Sequence, residues 1–290
     1  MMTSKKKWLL YSIYVVALAV FFIYYLFPSA KIKDYITLNL NSAHPDINIT
    51  IDQVKLAFPL GLRLHQVDLY HLNDFFLNAE YIKIVPDFLS FFRSKPVFFF
   101  KGRTYEGAFE GRGELTKDIF AGNVVVDAKL SRIQINKVDT IQQLTGLKVS
   151  GILNGDLTYS GGGKSKGNLR ARLNISDSTI ELLTPFFNLD SIIFDKIDAE
   201  FTVKNRKLQF KHCVLQGSQV DGSVAGSVTL NSPIGKSAIK LIGTIKPNQL
   251  FLSKLGKDFP VSQLPKKIFN KNGFPVKFSG TLDKPTFSFY

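Results

Sequence analysis

The chain has 290 residues, of which 45% are hydrophobic and 21% charged. It can therefore bury a core, and it is neither a disordered tail nor a polytopic membrane protein. The single cysteine, Cys213, excludes an intramolecular disulfide framework and a zinc site built from cysteines. A formal net charge of +14 favours anionic partners.

The N-terminus carries a short basic tail followed by an apolar segment. Residues 1–7 include three lysines, and residues 8–27 carry no charge. As a helix, the apolar segment spans about 30 Å, which is the thickness of the hydrocarbon core of a bilayer. We predict a transmembrane helix rather than a cleaved signal peptide, because the run is long and lacks a small-x-small cleavage site. Aromatic side chains are expected to anchor its two ends in the headgroup regions: Trp8, Tyr11, Tyr24, Tyr25 and Phe27.

The charges that flank this segment predict its orientation. Three lysines precede it, whereas Lys31 and Lys33, partly offset by Asp34, follow it. The positive-inside rule then predicts a cytoplasmic N-terminus and places residues 28–290 on the other side of the membrane.

The rest of the chain shows mainly the periodicity of strands. Residues 28–45 predict a short helical linker that Pro45 ends. Residues 46–290 predict a β domain, because apolar and polar side chains alternate in many short segments with few helical patterns between them. The expected fold class is mostly β: a transmembrane helix followed by an elongated, curved, mainly antiparallel sheet with a few short helices. The predicted strands are residues 48–56, 62–70, 79–85, 97–102, 104–115, 123–130, 149–159, 168–175, 199–203, 208–215, 220–230, 239–245, 276–282 and 286–289, and the predicted helices are residues 87–92, 139–145 and 248–257.

Pairs of glycines recur within these strands. Residues 107–111, 151–155 and 222–226 each begin and end with glycine. Two residues four apart in a strand share a face, and glycine weakens a strand. The pattern therefore predicts curvature, bulges or the close approach of another group.

Four segments resemble a known family. They are residues 58–64 (FPLGLRL), 81–92 (YIKIVPDFLSFF), 145–155 (TGLKVSGILNG) and 280–287 (GTLDKPTF). They look like the N component of the bacterial type II secretion system, in the form related to AsmA/TamB-like proteins. The resemblance implies a single-pass inner-membrane protein of a diderm bacterium, with a periplasmic sheet folded into a groove and an accessory role in secretion. It implies no catalytic residues.

Motifs that suggest chemistry have simpler structural interpretations. Residues 160–165 (SGGGKS) resemble the end of a phosphate-binding loop, but Thr158 stands where the leading glycine is required, and the loop joins two predicted strands. His65 and His71 have no third imidazole nearby in the sequence, and Cys213 is expected to be a packing residue. We therefore predict no catalytic residue, no metal ligand, no cofactor and no enzymatic activity.

A basic, phenylalanine-containing segment lies near the C-terminus. Between residues 246 and 277, seven lysines stand against one aspartate. Nucleic acid is not an expected partner outside the cytoplasm, so the segment predicts a surface for anionic headgroups or for a protein partner. The alternative is a solvated surface that keeps the domain soluble. The lysines are Lys246, Lys254, Lys257, Lys266, Lys267, Lys271 and Lys277.

The predicted strands place apolar side chains on one face that must be hidden from water. Two ways of burying this face are possible. A second sheet layer would make it a packed core, whereas acyl chains or a hydrophobic partner segment would make it a groove. The candidate residues are Val149, Leu153, Leu157, Leu169, Leu173, Phe201, Val203, Val224 and Val228.

Two non-catalytic functions follow from these expectations. The first is an inner-membrane-anchored periplasmic component of the type II secretion system, whose partners are other secretion proteins bound by strand addition. The alternative is an AsmA-like protein that binds or transfers phospholipid through a hydrophobic groove. An envelope enzyme is disfavoured, because the sequence shows no nucleophile, base or metal pattern.

Overall fold

A computed structural model describes residues 4–43, 47–58, 60–71, 74–92, 95–115, 123–162, 165–186, 189–248 and 273–289. Its α-helices are α1 (Ser4–Tyr25), α2 (Ser29–Ala43) and α3 (Asp139–Thr145), and its 3₁₀ helices are Phe88–Phe92, Ile135–Lys137 and Ile234–Lys236. The strands are β1 (Ile47–Ala57), β2 (Gly61–His71), β3 (Asp74–Asp87), β4 (Val97–Thr104), β5 (Gly107–Leu115), β6 (Val124–Gln134), β7 (Lys148–Gly162), β8 (Ser165–Phe186), β9 (Leu189–Lys204), β10 (Lys207–Gln216), β11 (Val220–Thr229), β12 (Ala238–Pro247), β13 (Phe274–Gly280) and β14 (Pro285–Phe289).

The strands form one antiparallel sheet in the order of the chain. Each strand from β1 to β14 is hydrogen-bonded to its sequence neighbours, so the sheet is an open fourteen-stranded meander. The mostly β, antiparallel fold class predicted from the alternation is confirmed, and each predicted strand has a counterpart.

Strands β8 and β9 are longer than predicted. β8 continues to Phe186 although the apolar alternation ends near residue 175. Asp177 has a φ of 51°, and the pairing of β7 with β8 shifts register between Ser150 and Ile152. A bulge of this kind interrupts the alternation of faces while the ladder continues beyond it, so a pattern-based boundary falls short.

The N-terminal helices differ in detail from the predicted span. α1 begins at Ser4 and ends at Tyr25, and α2 begins at Ser29 after Pro28. By length and hydropathy, no single helix in the described residues qualifies as a membrane span. Leu10–Tyr25 and Ser29–Ser42, which are bent by 61° from each other, qualify only as a pair. The predicted helix at residues 139–145 matches α3, and the one at residues 248–257 lies outside the described residues except for Asn248.

A compact core lies where α2 packs along the first strands. Its buried side chains come from β1, β2 and β3, and Phe27, Ile32 and Ile36 pack against it. Ile32 and Ile36 lie four residues apart on one side of α2, and Phe27 belongs to the short link between α1 and α2. Apart from contacts with the helices, the described residues form a single sheet layer. The buried core residues are Ile51, Val54, Leu64, Val67 and Ala79.

Candidate functional site: the apolar face of the sheet

The register of β7 to β11 brings most of the candidate apolar residues together. Directly paired residues of antiparallel strands point to the same face. Leu169 pairs with Val203, Val203 with Leu208, and Leu208 with Val228, which forms one row across β8 to β11. A sheet face with a continuous apolar row is therefore present where the alternation predicted it.

A second row runs parallel to the first. Leu157 pairs with Ala171, Ala171 with Phe201, and Phe201 with Phe210, whose ring centroid lies 5.7 Å from that of Phe201. Leu169 of the first row and Ala171 of the second row lie two residues apart on β8, so they point to the same face. The two rows therefore adjoin and form one surface.

The remaining candidates extend this surface along the strands. Leu173 pairs with Gly155 and Ala199, and Leu153 pairs with Ile175. Val149 and Val224 lie on β7 and β11 opposite Ile180 and Gly243.

The candidate side chains are only partly shielded from water. Val228 is buried, whereas the other eight are half-buried. Neighbours on the same face provide this shielding, since the described residues contain no second sheet above them. The predicted alternative of a core packed between two sheets is therefore absent from the described part of the chain.

Aromatic rings and glycines extend the apolar face toward the N-terminal strands. Phe98 lies opposite Gly113, Phe100 opposite Gly111, and Phe109 opposite Gly102. A Cβ atom built on Gly111 would lie 2.5 Å from the Cζ atom of Phe100, and one on Gly102 would lie 2.5 Å from that of Phe109. Each ring thus covers the glycine across from it, an arrangement that fills the space a side chain would take.

Sequence reasoning missed these rings as part of the face. The repeated glycines of residues 107–111 were a usable signal, since they indicated the close approach of another group. Their partners in β4 are identified only by the register. The same face continues at the other end of the sheet, where the rings of Phe278 and Phe287 lie 5.2 Å apart between β13 and β14.

The opposite face is polar, and its charges alternate in sign. Lys101 pairs with Glu110, Glu110 with Lys129, and Lys129 with Asp156. The series continues through Arg172, which pairs with Asp156 and lies 3.5 Å from a carboxylate oxygen of Glu200. Such exposed pairs contribute little stability each, but their alternation avoids the repulsion of like charges across strands.

Two shallow depressions lie on this polar face. They have volumes of about 730 Å³ and 490 Å³, and charged residues such as Lys101, Asp127 and Arg172 line them. Of the candidate apolar residues, only Leu157 and Leu173 contribute to their walls. These depressions are therefore distinct from the predicted apolar groove.

The predicted anchor residues divide into two groups. Trp8, Tyr11, Tyr24 and Tyr25 are exposed on α1. Phe27 instead packs against the core between α2 and the sheet, so it ties the helical segment to the β domain.

Two of the seven lysines of the predicted basic surface belong to the described residues. Lys246 pairs with Asp221 on β11, and Lys277 pairs with Ile242 on β12, and both lysines are exposed. The other five lysines, Lys254, Lys257, Lys266, Lys267 and Lys271, lie outside the described residues.

Two titratable groups with shifted pKa values, Cys213 and Asp198, occupy ordinary positions in strands. Burial raises the pKa of the Cys213 thiol, which lies opposite Ala199. Hydrogen bonds from Lys196 and Asn174 lower the pKa of Asp198. Within the described ranges, no three His, Cys, Asp or Glu residues are grouped so that they could hold a metal ion.

The fold thus defines a single-layer antiparallel β meander with one apolar face and a helical segment at its N-terminal edge. Comparison with protein-family models, with curated proteins and with solved structures finds no match to this chain.

Proposed function

We propose that this protein is a non-catalytic, periplasmic protein, anchored in the inner membrane by its N-terminal helix, that binds the acyl chains of phospholipids along its apolar face. The observation that carries the proposal is the combination of a continuous apolar face with a single sheet layer in the described residues. The resemblance to the N component of the type II secretion system, in the form related to AsmA/TamB-like proteins, implies a sheet folded into a groove, which is compatible with this ligand.

The energetics favour a hydrophobic ligand over exposure of this face to water. Fully burying a Leu or Phe side chain gives about 1.5–3 kcal/mol, and each CH₂ of an acyl chain that is buried adds about 0.8 kcal/mol. Eight of the nine candidate side chains are half-buried, so a ligand that covers them would bury their remaining exposed apolar surface and gain part of this free energy. The alternating charges of the other face offer acyl chains no comparable surface.

Photocrosslinking tests this proposal with the complete chain in vesicles. A phosphatidylethanolamine with a photoreactive group in its acyl chain is incorporated, and crosslinked peptides are mapped by mass spectrometry. We expect crosslinks on β7 to β9, around Leu157, Leu173 and Phe201. Crosslinks confined to α1 would overturn the proposal, since that result is expected for an anchor alone.

Matched substitutions separate binding from folding. F201D places a charge on the apolar face, whereas T202D places it on the polar face, where Thr202 pairs with Arg170. F201D is expected to abolish the crosslinks on β7 to β9, and T202D to retain them. Circular dichroism must show equal strand content in both variants for the comparison to count.

A second candidate function is that of a type II secretion component. It is favoured by β14, which lies at the end of the described sheet with Thr286 and Ser288 exposed. Such an edge offers backbone groups to an added strand of a partner. A photoreactive residue at Ser288 should crosslink to an identified secretion subunit, and one at Thr202 in the interior strand β9 should not. Failure to crosslink at Ser288 in cells with an active secretion apparatus would exclude this mode of contact.

A further inference from the structure

Large apolar side chains are exposed at one end of the first four strands. Phe92 is 91% exposed and Phe58 is 78% exposed. Clustered exposed apolar residues of this size mark interaction sites rather than ordinary surface. We call this group the apolar tip, and it consists of Phe58, Leu60, Phe88, Leu89, Phe91 and Phe92.

The antiparallel register brings these residues to the same end of the sheet. Leu56 pairs with Leu62 and Leu62 with Ile84, so the β1–β2 turn lies beside the end of β3. The 3₁₀ helix Phe88–Phe92 follows β3 directly. The Nζ atom of Lys83 donates a hydrogen bond of 2.7 Å to the carbonyl oxygen of Phe58, which ties the turn to β3.

Helix α1 leaves the domain at this same end. The side chain of Asn41 bonds to Ile49 near the start of β1, whereas the Nζ atom of Lys33 donates to the carbonyl oxygen of Asp52 farther along the strand. α2 therefore runs antiparallel to β1, and its first residues lie toward Phe58. The last turn of α1, which immediately precedes α2, is thus near the apolar tip.

A row of like charges crosses the polar face close to the tip. Lys55 pairs with Arg63, Arg63 with Lys83, and Lys83 with Lys101. We call these four residues the cationic row. Among the ion pairs of the described residues, none involves a member of this row. Like charges directly opposite each other destabilise a sheet, and the close contacts of the row within the described residues are the hydrogen bond of Lys83 to Phe58 and the Arg63 guanidinium 4.2 Å from the centroid of the Tyr81 ring.

The charges of the first four strands differ from those of the strands that follow. From β4 to β9, cations and carboxylates alternate across the same face, whereas from β1 to β4 only cations occur at this level. The pKa of His65 is lowered, first by burial and then by the charges of Arg63 and Lys55, while Asp52 opposes the shift. The cationic row brings four positive charges close to the apolar tip, where β3 ends with the carboxylate of Asp87.

The spacing of the two features matches the depth profile of a membrane surface. Lys55 is three residues before Phe58, and strands rise by about 3.3 Å per residue, so the row lies roughly 10 Å behind the tip. Interfacial segments bury their apolar side chains by about 5–10 Å into the boundary between headgroups and acyl chains. Cations at that distance would lie among the headgroups.

We propose that the apolar tip inserts into the outer surface of the membrane that holds α1, with the cationic row against anionic phospholipid headgroups. The inference rests on the proposed anchoring by α1 but not on lipid binding along β7 to β11. If the tip inserts, the bilayer meets the apolar face at the edge where β4 begins, near Phe98 and Phe100.

Site-specific fluorescence in vesicles tests the insertion with the complete chain. The vesicles contain phosphatidylethanolamine and phosphatidylglycerol, and the background variant is C213S. A single cysteine carrying an environment-sensitive dye is introduced by F92C in the tip, by E106C in the β4–β5 turn at the opposite end, or by S12C in α1. Quenching is measured with lipids that carry a nitroxide in the acyl chain.

The expected result is strong quenching at position 12, and quenching at position 92 at least about threefold stronger than at position 106, because only the tip reaches the acyl chains. Quenching at position 12 with none at position 92 would overturn the inference and leave the anchoring intact. No quenching at position 12 would refute the anchoring and with it the inference, and circular dichroism verifies that each labelled variant is folded.

A second pair of variants tests the cationic row. One replaces Lys55, Arg63 and Lys101 by glutamine and keeps Lys83, which holds the turn at Phe58. The control makes the same change at Lys129, Arg172 and Lys196, which belong to the polar face farther along the sheet. We expect the first variant alone to reduce quenching at position 92 in vesicles with phosphatidylglycerol, and high salt to reduce it in the parent chain. Equal quenching in the two variants would remove the cationic row from the proposal.

Discussion

Glycines determine where the aromatic rings lie on the apolar face. A Cβ atom on Gly111 would contact the Cζ atom of Phe100 at 2.5 Å and the Cα atom of Ala128 at 3.0 Å, and would also clash with the carbonyl oxygen of Asp127. Two of these neighbours are backbone atoms of the adjacent strand, which cannot move without disturbing the ladder. The absence of a side chain at this position is thus a packing requirement.

The substitution G111A is therefore expected to destabilise the protein by about 1–3 kcal/mol, as overpacking of a well-filled site does. Thermal unfolding of the complete chain in detergent measures the change. G235A is the matched control, because a Cβ atom there would meet only ordinary contacts, the nearest at 3.5 Å from the Cβ atom of Asp283. Equal unfolding temperatures for the two variants would contradict this account.

At the level of elements, α2 protects the first edge of the sheet. The Oδ1 atom of Asn41 accepts a hydrogen bond of 2.8 Å from the backbone N–H of Ile49, and its Nδ2 atom donates to the carbonyl oxygen of the same residue at 3.3 Å. The amide side chain thus occupies backbone groups that an added strand would otherwise pair with. The two edges of the sheet differ for this reason, since β14 has no such helix beside it in the described residues.

Removing this contact should loosen β1 selectively. N41A is expected to cost about 1–2 kcal/mol, because two backbone groups lose partners in a half-buried position. Hydrogen exchange should accelerate in residues 47–57. The control is N39A, since Asn39 donates only to the carbonyl oxygen of Tyr35 within α2. Similar exchange in the two variants would show that α2 holds β1 by apolar packing alone.

At the level of the whole molecule, the sheet behaves as a one-dimensional array. Every strand is paired with its sequence neighbours, and the described sheet does not close on itself. In such arrays stability is approximately a sum of local and nearest-neighbour contributions, so opening begins at the ends. Strands with longer ladders resist opening more.

Hydrogen exchange with mass-spectrometric readout should therefore be graded along the chain. We expect the slowest exchange in β8 and β9, which contain 22 and 16 residues, and fast exchange in the five residues of β14. Uniform protection from β7 to β14 would indicate a cooperative unit and would contradict the array description.

Much of the fold was predictable from local patterns. Alternation identified all fourteen strands, and the helix at residues 139–145 was predicted with the bounds of α3. The alternation predicted β8 only as far as residue 175, because the bulge at Asp177 changes which face the following side chains occupy. The candidate apolar residues were predicted from the same alternation, and pairing places Leu157, Leu169, Phe201 and Val203 on adjoining rows.

The cross-strand relations were not predictable, because register depends on residues far apart in the sequence. The phenylalanines of β4 were not assigned to the glycines of β5, and the cationic row was not recognised, since Lys55 and Lys101 are separated by three strand pairings. Of the predicted helix at residues 87–92, residues 88–92 form a 3₁₀ helix, whereas Asp87 ends β3. The exposure of this segment beside Phe58 follows only from the ends of β1 and β3 lying together.

The sequence by itself determined the elements, their order and the side chains of one apolar face, because a period of two is a property of neighbouring residues. Only the tertiary structure decided that the described strands form a single open layer and that like charges and exposed rings meet at one end of it. The physical reason is that strand pairing sets which side chains face one another, and the local alternation is compatible with many pairings.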